Sequence, residues 1–232
     1  MPEPDRRAAY LDALGITRWV RREAPPTDRD TSGEKVQSDD EDMAVPDVAT
    51  LDWPGLRQRV LACQDCDLCQ TRNRVVFGVG DEVADWLIVG EAPGEQEDLQ
   101  GEPFVGRAGL LLNNMLAAAG LSRDSVFIAN VIKCRPPGNR DPNPQEVEAC
   151  LGFLQRQIVL IEPKIILVVG RVAAQTLLQS DAPVGRLRGR VHGYQGIPLV
   201  VTYHPAYLLR RPVEKRKAWE DLKLAMSVFT AG

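Results

Sequence analysis

The order of apolar runs predicts an α/β protein, with a central, mainly parallel four-stranded sheet and helices on both of its faces. Three observations carry that reading. Short apolar, β-branched runs recur at 86–89 (WLIV), 126–134 (VFIANVIKC), 164–170 (KIILVVG) and 197–202 (IPLVVT). Segments at helical spacing separate them, at 107–120 (RAGLLLNNMLAAAG), 144–161 and 171–178, and a parallel pair of strands needs such a crossover. The first run ends in glycine and feeds a glycine-rich loop, 90–109 (GEAPGEQEDLQGEPFVGRAG). In an open α/β sheet that is where a ligand crevice forms.

Ahead of the sheet, residues 5–20 (DRRAAYLDALGITRWV) bring Ala8, Leu11 and Leu14 to one side of a short amphipathic helix. Residues 21–50 are dense in Pro, Asp, Glu and Ser and poor in large apolar groups, the composition of a disordered linker. A short apolar stripe on a flexible arm has the form of a docking peptide, and equally of a helix that folds back on its own domain. The folded domain is expected over 51–232, opening with a helix at 52–61 (DWPGLRQRVL).

That helix delivers the chain to Cys63, Cys66 and Cys69, while Cys134 and Cys150 follow much later. A zinc ribbon wants two tight Cys pairs, so the wide second pair fits zinc poorly. Thiolates gathered from distant segments suit a [4Fe-4S] cluster, whose corners need not be met by neighbouring residues. Five cysteines leave one surplus.

The 90–109 loop carries Glu91, Glu95, Glu97, Asp98 and Glu102 but no lysine. A nucleotide triphosphate would be repelled there, which argues against a phosphate loop. The glycines instead allow backbone amides and the ring of Phe104 to close around a neutral planar group; the plainer alternative makes Phe104 and Val105 core residues and the carboxylates a solvated rim. The next strand ends near Asn130. A buried Asn is costly unless its donor and acceptor are both matched, either by neighbouring backbone or by a ligand with a complementary edge.

Pro144 starts the helix that runs to about 161. An Arg-rich turn at 186–190 then leads into a hairpin about Tyr194, Gln195 and Gly196, with His192 expected exposed on it. The last strand ends in Tyr203, His204 and Pro205, and the loop beyond turns basic at Arg210. The final helix, 212–229 (PVEKRKAWEDLKLAMSVF), is expected to turn Trp219, Leu222 and Met226 inward.

A net charge of -4 looks unsuited to a nucleic-acid partner until it is divided along the chain. Residues 1–50 hold seven of the 28 Lys and Arg and twelve of the 32 Asp and Glu, leaving 21 against 20 in 51–232. A near-neutral domain binds DNA if its charges are sorted by face, and basic residues do cluster at 186–190 and 210–217. No apolar run approaches 18 residues and no basic segment precedes an apolar one at the N-terminus, so neither a membrane span nor a secretory signal is legible. The expectation is a cytoplasmic protein whose cysteines are ligands or buried thiols.

The loop GEAPGEQEDLQGEPFVGRAG, Asn130 within VFIANVIKCRPP and His204 within YHPAYLL together resemble the family 4 uracil-DNA glycosylases, the iron-sulfur branch of that superfamily, from about Cys63 to the C-terminus. The resemblance implies a monomeric bacterial enzyme of the nucleoid that flips deoxyuridine out of DNA, holds uracil on Phe104, reads its edge with Asn130 and stabilises the departing base with His204. It implies that Gly90, Glu91 and Ala92 line the pocket, that Glu91, with Asp98 second, positions water where the family 1 enzymes have an Asp in place of Ala92, and that Leu208 is the wedge entering the base stack. It places the cluster ligands at Cys63, Cys66, Cys134 and Cys150 and leaves Cys69 over. A neighbouring family forms a covalent adduct with DNA through a His in an inserted basic loop; this chain reads KCRPPGNRDPNP there, so turnover is expected. The rival expectation is a non-catalytic iron-sulfur adaptor working through its N-terminal arm. Within that arm LGITRWVRRE is similar to the N-terminal peptide of the psi subunit of the bacterial clamp loader, which implies a clamp-loader or replisome partner for residues 5–20.

Overall fold

The computed structural model describes residues 47–231. The helix and docking peptide expected over 5–20, and nearly all of the linker expected over 21–50, lie outside them. Six strands form one sheet in the order β1-β3-β2-β4-β6-β5. Its four central members are the parallel strands expected from the sequence: β3 (Phe127–Asn130), β2 (Trp86–Gly90), β4 (Ile165–Val169) and β6 (Ile197–Thr202). Two short antiparallel edges complete it, β1 (Val79–Gly80) on β3 and the hairpin strand β5 (Val191–Tyr194) on β6.

Every residue of β2, β3 and β4 is buried, which is why those strands read as unbroken apolar runs rather than alternating ones. Side chains still alternate between two cores. Leu87, Val89, Phe127, Ala129, Ile166, Val168, Leu199 and Val201 face α1 (Trp53–Leu61), α4 (Pro144–Ile161) and α5 (Arg171–Leu178). Trp86, Ile88, Ile128, Leu167 and Val200 face α3 (Arg107–Ala118), α7 (Pro205–Arg210) and α8 (Lys215–Ala231). Two short helices remain: α2 (Glu95–Gln100), inside the glycine-rich loop, and α6 (Val184–Leu187) before the hairpin.

Starts and stops follow local chemistry. Asp52 caps α1 by accepting from Gly55 N at 2.9 Å. Asn143 and Glu146 cap α4 reciprocally, behind Pro144 at its first turn. The final helix is rotated from expectation: Ala218, Asp221, Leu222 and Ala225 face inward, Trp219 is 38% exposed and Met226 only half-buried. Asp221 makes that phase favourable, because Thr202 Oγ1 and Arg188 satisfy it at the sheet surface. His192 is half-buried rather than exposed, its Nε2 lying 2.6 Å from the carbonyl of Leu187. Among the described residues no helix is long and apolar enough to cross a membrane.

Four parallel strands put four carboxyl ends on one edge of the sheet. Gly90 and Asn130 are Cα partners there, and Gly170 and His204 follow β4 and β6. The chain leaves the neighbouring strands β2 and β4 toward opposite faces, to α3 and α5 respectively. A crevice opens at such a point.

Candidate active site

The crevice is a cleft of about 860 Å³ whose walls include Glu91, Ala92, Phe104, Asn130, His204 and Arg210. Phe104, Asn130 and His204, distant in sequence, thus meet at one site. The Phe104 ring lies 5.6 Å from the imidazole of His204, their planes 30° apart. Asn130 is 2% exposed, and its Oδ1 is buried without a partner in the protein. An unpaired buried acceptor costs about 1–3 kcal/mol, so its persistence at a cavity wall points to a ligand donor.

Gly90 lies behind these groups. A Cβ there would stand 2.6 Å from Cζ and 2.8 Å from Cε2 of Phe104, and closer still to Asn130 Oδ1. Its carbonyl accepts from Val131 N and that of Glu91 from Ile132 N, so these two carbonyls extend the sheet; Glu91 and Ala92 line the cleft as expected, whereas Gly90 stands behind its wall. Gly90 contributes by lacking a side chain.

Phe104 has φ 54°, a conformation costly for an L-residue. Its surroundings fix it on three sides. Glu97 Oε1 accepts from Val105 N at 2.9 Å and Gly106 N at 3.1 Å, while its Oε2 accepts from Gly94 N at 3.2 Å. Arg123 donates to the carbonyls of Pro103 and Phe104. Gly109 lets the Phe104 carbonyl lie against α3 where any Cβ would collide with it. None of these braces was assigned from sequence, although an acidic residue three positions after Gly94 was a signal for one.

His204 caps α7 by accepting from Ala206 N through Nδ1 at 3.1 Å. That bond assigns the ring proton to Nε2. Burial first, then the charge of Arg210, holds its pKa down at about 4, against a smaller opposing effect of Glu97. At neutral pH the site therefore holds a neutral imidazole with one N–H to donate. Glu91 moves the other way: burial and the nearby Asp141 push it up to about 7, with Arg171 opposing. Asp141 and Arg171, an ion pair in the cleft wall, are site residues the sequence reading missed.

Two expectations fail here. Asp98 is 1% exposed, and its oxygens accept from Asn73 N (2.9 Å), Asn73 Nδ2 (2.6 Å) and Arg74 N (3.3 Å), so it is a structural anchor rather than a second water-positioning carboxylate. Leu208 is 1% exposed, in the core with Leu112, Met115 and Leu222. A side chain so placed is not presented to DNA.

A second, smaller cavity lies between α1 and the start of α4, and all five cysteines line it. Cys63, Cys134 and Cys150 are buried and Cys66 and Cys69 half-buried. Arg72 Nη1 donates to Cys134 Sγ at 3.1 Å and Lys133 N to Cys150 Sγ at 3.3 Å. Among the described residues no three His, Cys, Asp or Glu converge as ligands of a single metal ion. A cubane has separated corners and makes no such demand.

Residues 77–223 match the model of the Uracil DNA glycosylase superfamily. Over 174 residues the chain is 44% identical to the type-4 uracil-DNA glycosylase of Archaeoglobus fulgidus, covering 72% of this chain and 87% of that protein. The type-4 uracil-DNA glycosylase of Thermotoga maritima is 42% identical, covering 73% and 91%. A type-5 uracil-DNA glycosylase of Thermus thermophilus is more distant, 33% identical over 45% of this chain and 54% of that protein.

Proposed function

From the premise that this chain belongs to the uracil-DNA glycosylase superfamily, we infer what its cleft does. The protein is a uracil-DNA glycosylase, a DNA repair hydrolase that excises uracil, and its substrate is uracil-containing DNA. The residue roles are our proposal, and the unpartnered Oδ1 of Asn130 beside Phe104 and His204 carries it.

Deoxyuridine enters extruded from the helix, because the glycosidic bond is out of reach inside the stack. Uracil stacks on Phe104. Asn130 Oδ1 accepts from N3–H while its amide NH2 donates to O4; cytosine presents the opposite pattern, and a fixed amide leaves both partners unmatched against it. Breaking the N-glycosidic bond leaves a uracil anion and an oxocarbenium-like sugar. The Nε2–H of His204 donates to uracil O2 as charge gathers there, a preorganised donor of a kind worth about 3 kcal/mol. A neutral imidazole suits this role, since it stabilises the anion without needing to give up a proton. Glu91, as the carboxylate, positions the water that adds to the sugar carbon and takes the proton that water gives up, and its charge faces the cationic sugar. The chain keeps no His in the loop 133–144, so release and turnover follow.

We propose Cys63, Cys66, Cys134 and Cys150 as ligands of a [4Fe-4S] cluster. The shared cavity and the two donors aimed at sulfur fit it. When bound it supplies a structural staple between the α1 turn and the start of α4, and no step of excision passes through it. Residues 5–20 are proposed to dock the enzyme on the clamp loader, a reading resting on sequence alone; unchanged clamp-loader binding after deletion of residues 1–45 would remove it. The enzyme is proposed to act as a monomer in the cytoplasm, on the nucleoid.

The test is direct. Incubation with single- and double-stranded uracil DNA, then alkali, is expected to cut the strand at each uracil. Intact strands would return the protein to the adaptor reading.

A further inference from the structure

The outer lip of the cleft holds an arrangement that excision chemistry does not use. Tyr203 and Tyr207 flank His204 and stack on each other, centroids 5.0 Å apart and planes at 29°. Both are half-exposed in the cleft wall. Behind them, the guanidinium carbon of Arg188 lies 5.8 Å from the Tyr203 ring centre. Arg188 is in turn held by Asp221, Nε to Oδ2 at 3.0 Å, and donates to the carbonyl of Lys217 at 2.7 Å. Asp221 is fully buried and also accepts from Thr202 Oγ1 at 2.8 Å and Gly189 N at 3.1 Å. Carboxylate, guanidinium, ring and ring form a column rooted in the core and ending at the cleft.

A base taken out of a duplex leaves a gap, and the unstacking it causes must be offset by something that fills it. Leu208 is committed to the core between α3 and α8. Tyr207, in the first turns of α7, stacks on Tyr203, which precedes that helix, whereas the next side chain, Leu208, turns into the core. The Tyr207 ring therefore sits at the cleft mouth, braced from behind, with the exposed cation of Arg210 three residues on and in the same wall. Such a ring offers every base a π-face at little loss of conformational freedom.

We propose that Tyr207, held by the Tyr203–Arg188–Asp221 column, fills the gap left by the extruded deoxyuridine and stacks on the neighbouring base. The proposal rests on the uracil-excision reading above.

Single-turnover excision by the cluster-loaded, full-length protein tests it, with uracil in a U·A duplex, a U·G duplex and a single strand. Tyr207→Ala is expected to lose about 10- to 100-fold on U·A, the scale of one base–aromatic stack. The loss should be smaller on U·G, whose mispair is easier to open, and least on the single strand. Tyr207→Phe, which keeps the ring, should match wild type on all three. If the alanine protein does not fold, Tyr207→Leu carries the same test, with the same ordering and a smaller loss. Equal losses on all three substrates, or none, would overturn the proposal. Wild-type cutting of the single strand keeps the glycosylase reading standing in either case, so the two fail separately.

Discussion

Gly90→Ala isolates the geometry of the pocket from its chemistry. No reacting group is removed, and the residue ends a buried strand outside the left-handed region, so alanine meets no backbone penalty. The added methyl would sit 2.6 Å and 2.8 Å from two Phe104 ring carbons and closer still to Asn130 Oδ1. Carbon atoms prefer about 3.5–4.0 Å, so ring and amide must give way by roughly 1 Å. These are the groups proposed to stack on uracil and to read its edge. Misplacement on that scale costs about 100-fold in rate, and overpacking costs about 1–3 kcal/mol of stability. The assay is single-turnover excision from single-stranded uracil DNA, scored as alkali-labile sites, with thermal melting as the control for folding. A folded Gly90→Ala protein within about threefold of wild type would refute the reasoning, because Phe104 and Asn130 would then not be held by contact across Gly90.

Removing the proposed donor in His204→Ala is expected to slow the single-turnover rate by about 10²–10³, and to lower the melting temperature by only the few degrees that loss of the α7 cap, about 1 kcal/mol, implies. Excision should rise with pH through about 7 as Glu91 ionises, and a pH–rate profile of Glu91→Gln should be lower and flat across that range. Stability has the matching sign: the Glu91 value is raised from 4.5, so its contribution is present below 4.5 and lost as pH rises through about 7, and Glu91→Gln should gain on wild type in melts above that point. His204 runs oppositely, its value being lowered from 6.5 to about 4, so its contribution is present above 6.5 and lost as pH falls through about 4. Cys134→Ser is expected to lose the broad absorbance near about 400 nm and bound iron, and to melt lower, whereas Cys69→Ser should keep all three.

The four parallel strands and their crossovers were legible because strands buried on both faces must be continuously apolar, and each here is bounded by a helix-spaced segment. The edge strand β1 was not, since two residues carry no periodicity. Phe104, Asn130 and His204 were recoverable through the resemblance, since Phe104 by itself also read as core and Asn130 as a structural amide; each occupies a strand end or the loop beyond it, where the parallel topology gathers side chains. Leu208 was misplaced because the wedge position was carried over from the resemblance, onto a segment expected to be loop. The segment is helix α7, and its phase turns Leu208 into the core against α3 and α8. Trp219 failed by a phase shift about the α8 axis that the buried Asp221 decides.

The carboxylates of the 90–109 loop show what composition can and cannot say. Their charge correctly argued against a phosphate site, yet a solvated rim describes only some of them. Glu97 gathers three backbone amides from Gly94, Val105 and Gly106, and Asp98 ties the loop to Asn73 and Arg74, beyond the cysteine turn. Hydrogen bonds to an ionised acceptor are about twice as strong as neutral ones, which suits them to hold Phe104 in a conformation its own backbone disfavours. Two of the five carboxylates, Glu97 and Asp98, are thus structural: they fix the loop and its ring before uracil arrives. Glu97→Gln, which keeps an oxygen but loses the charge, should accordingly raise KM more than it lowers kcat. An unchanged KM would mean that Arg123 and Gly109 suffice to hold the ring.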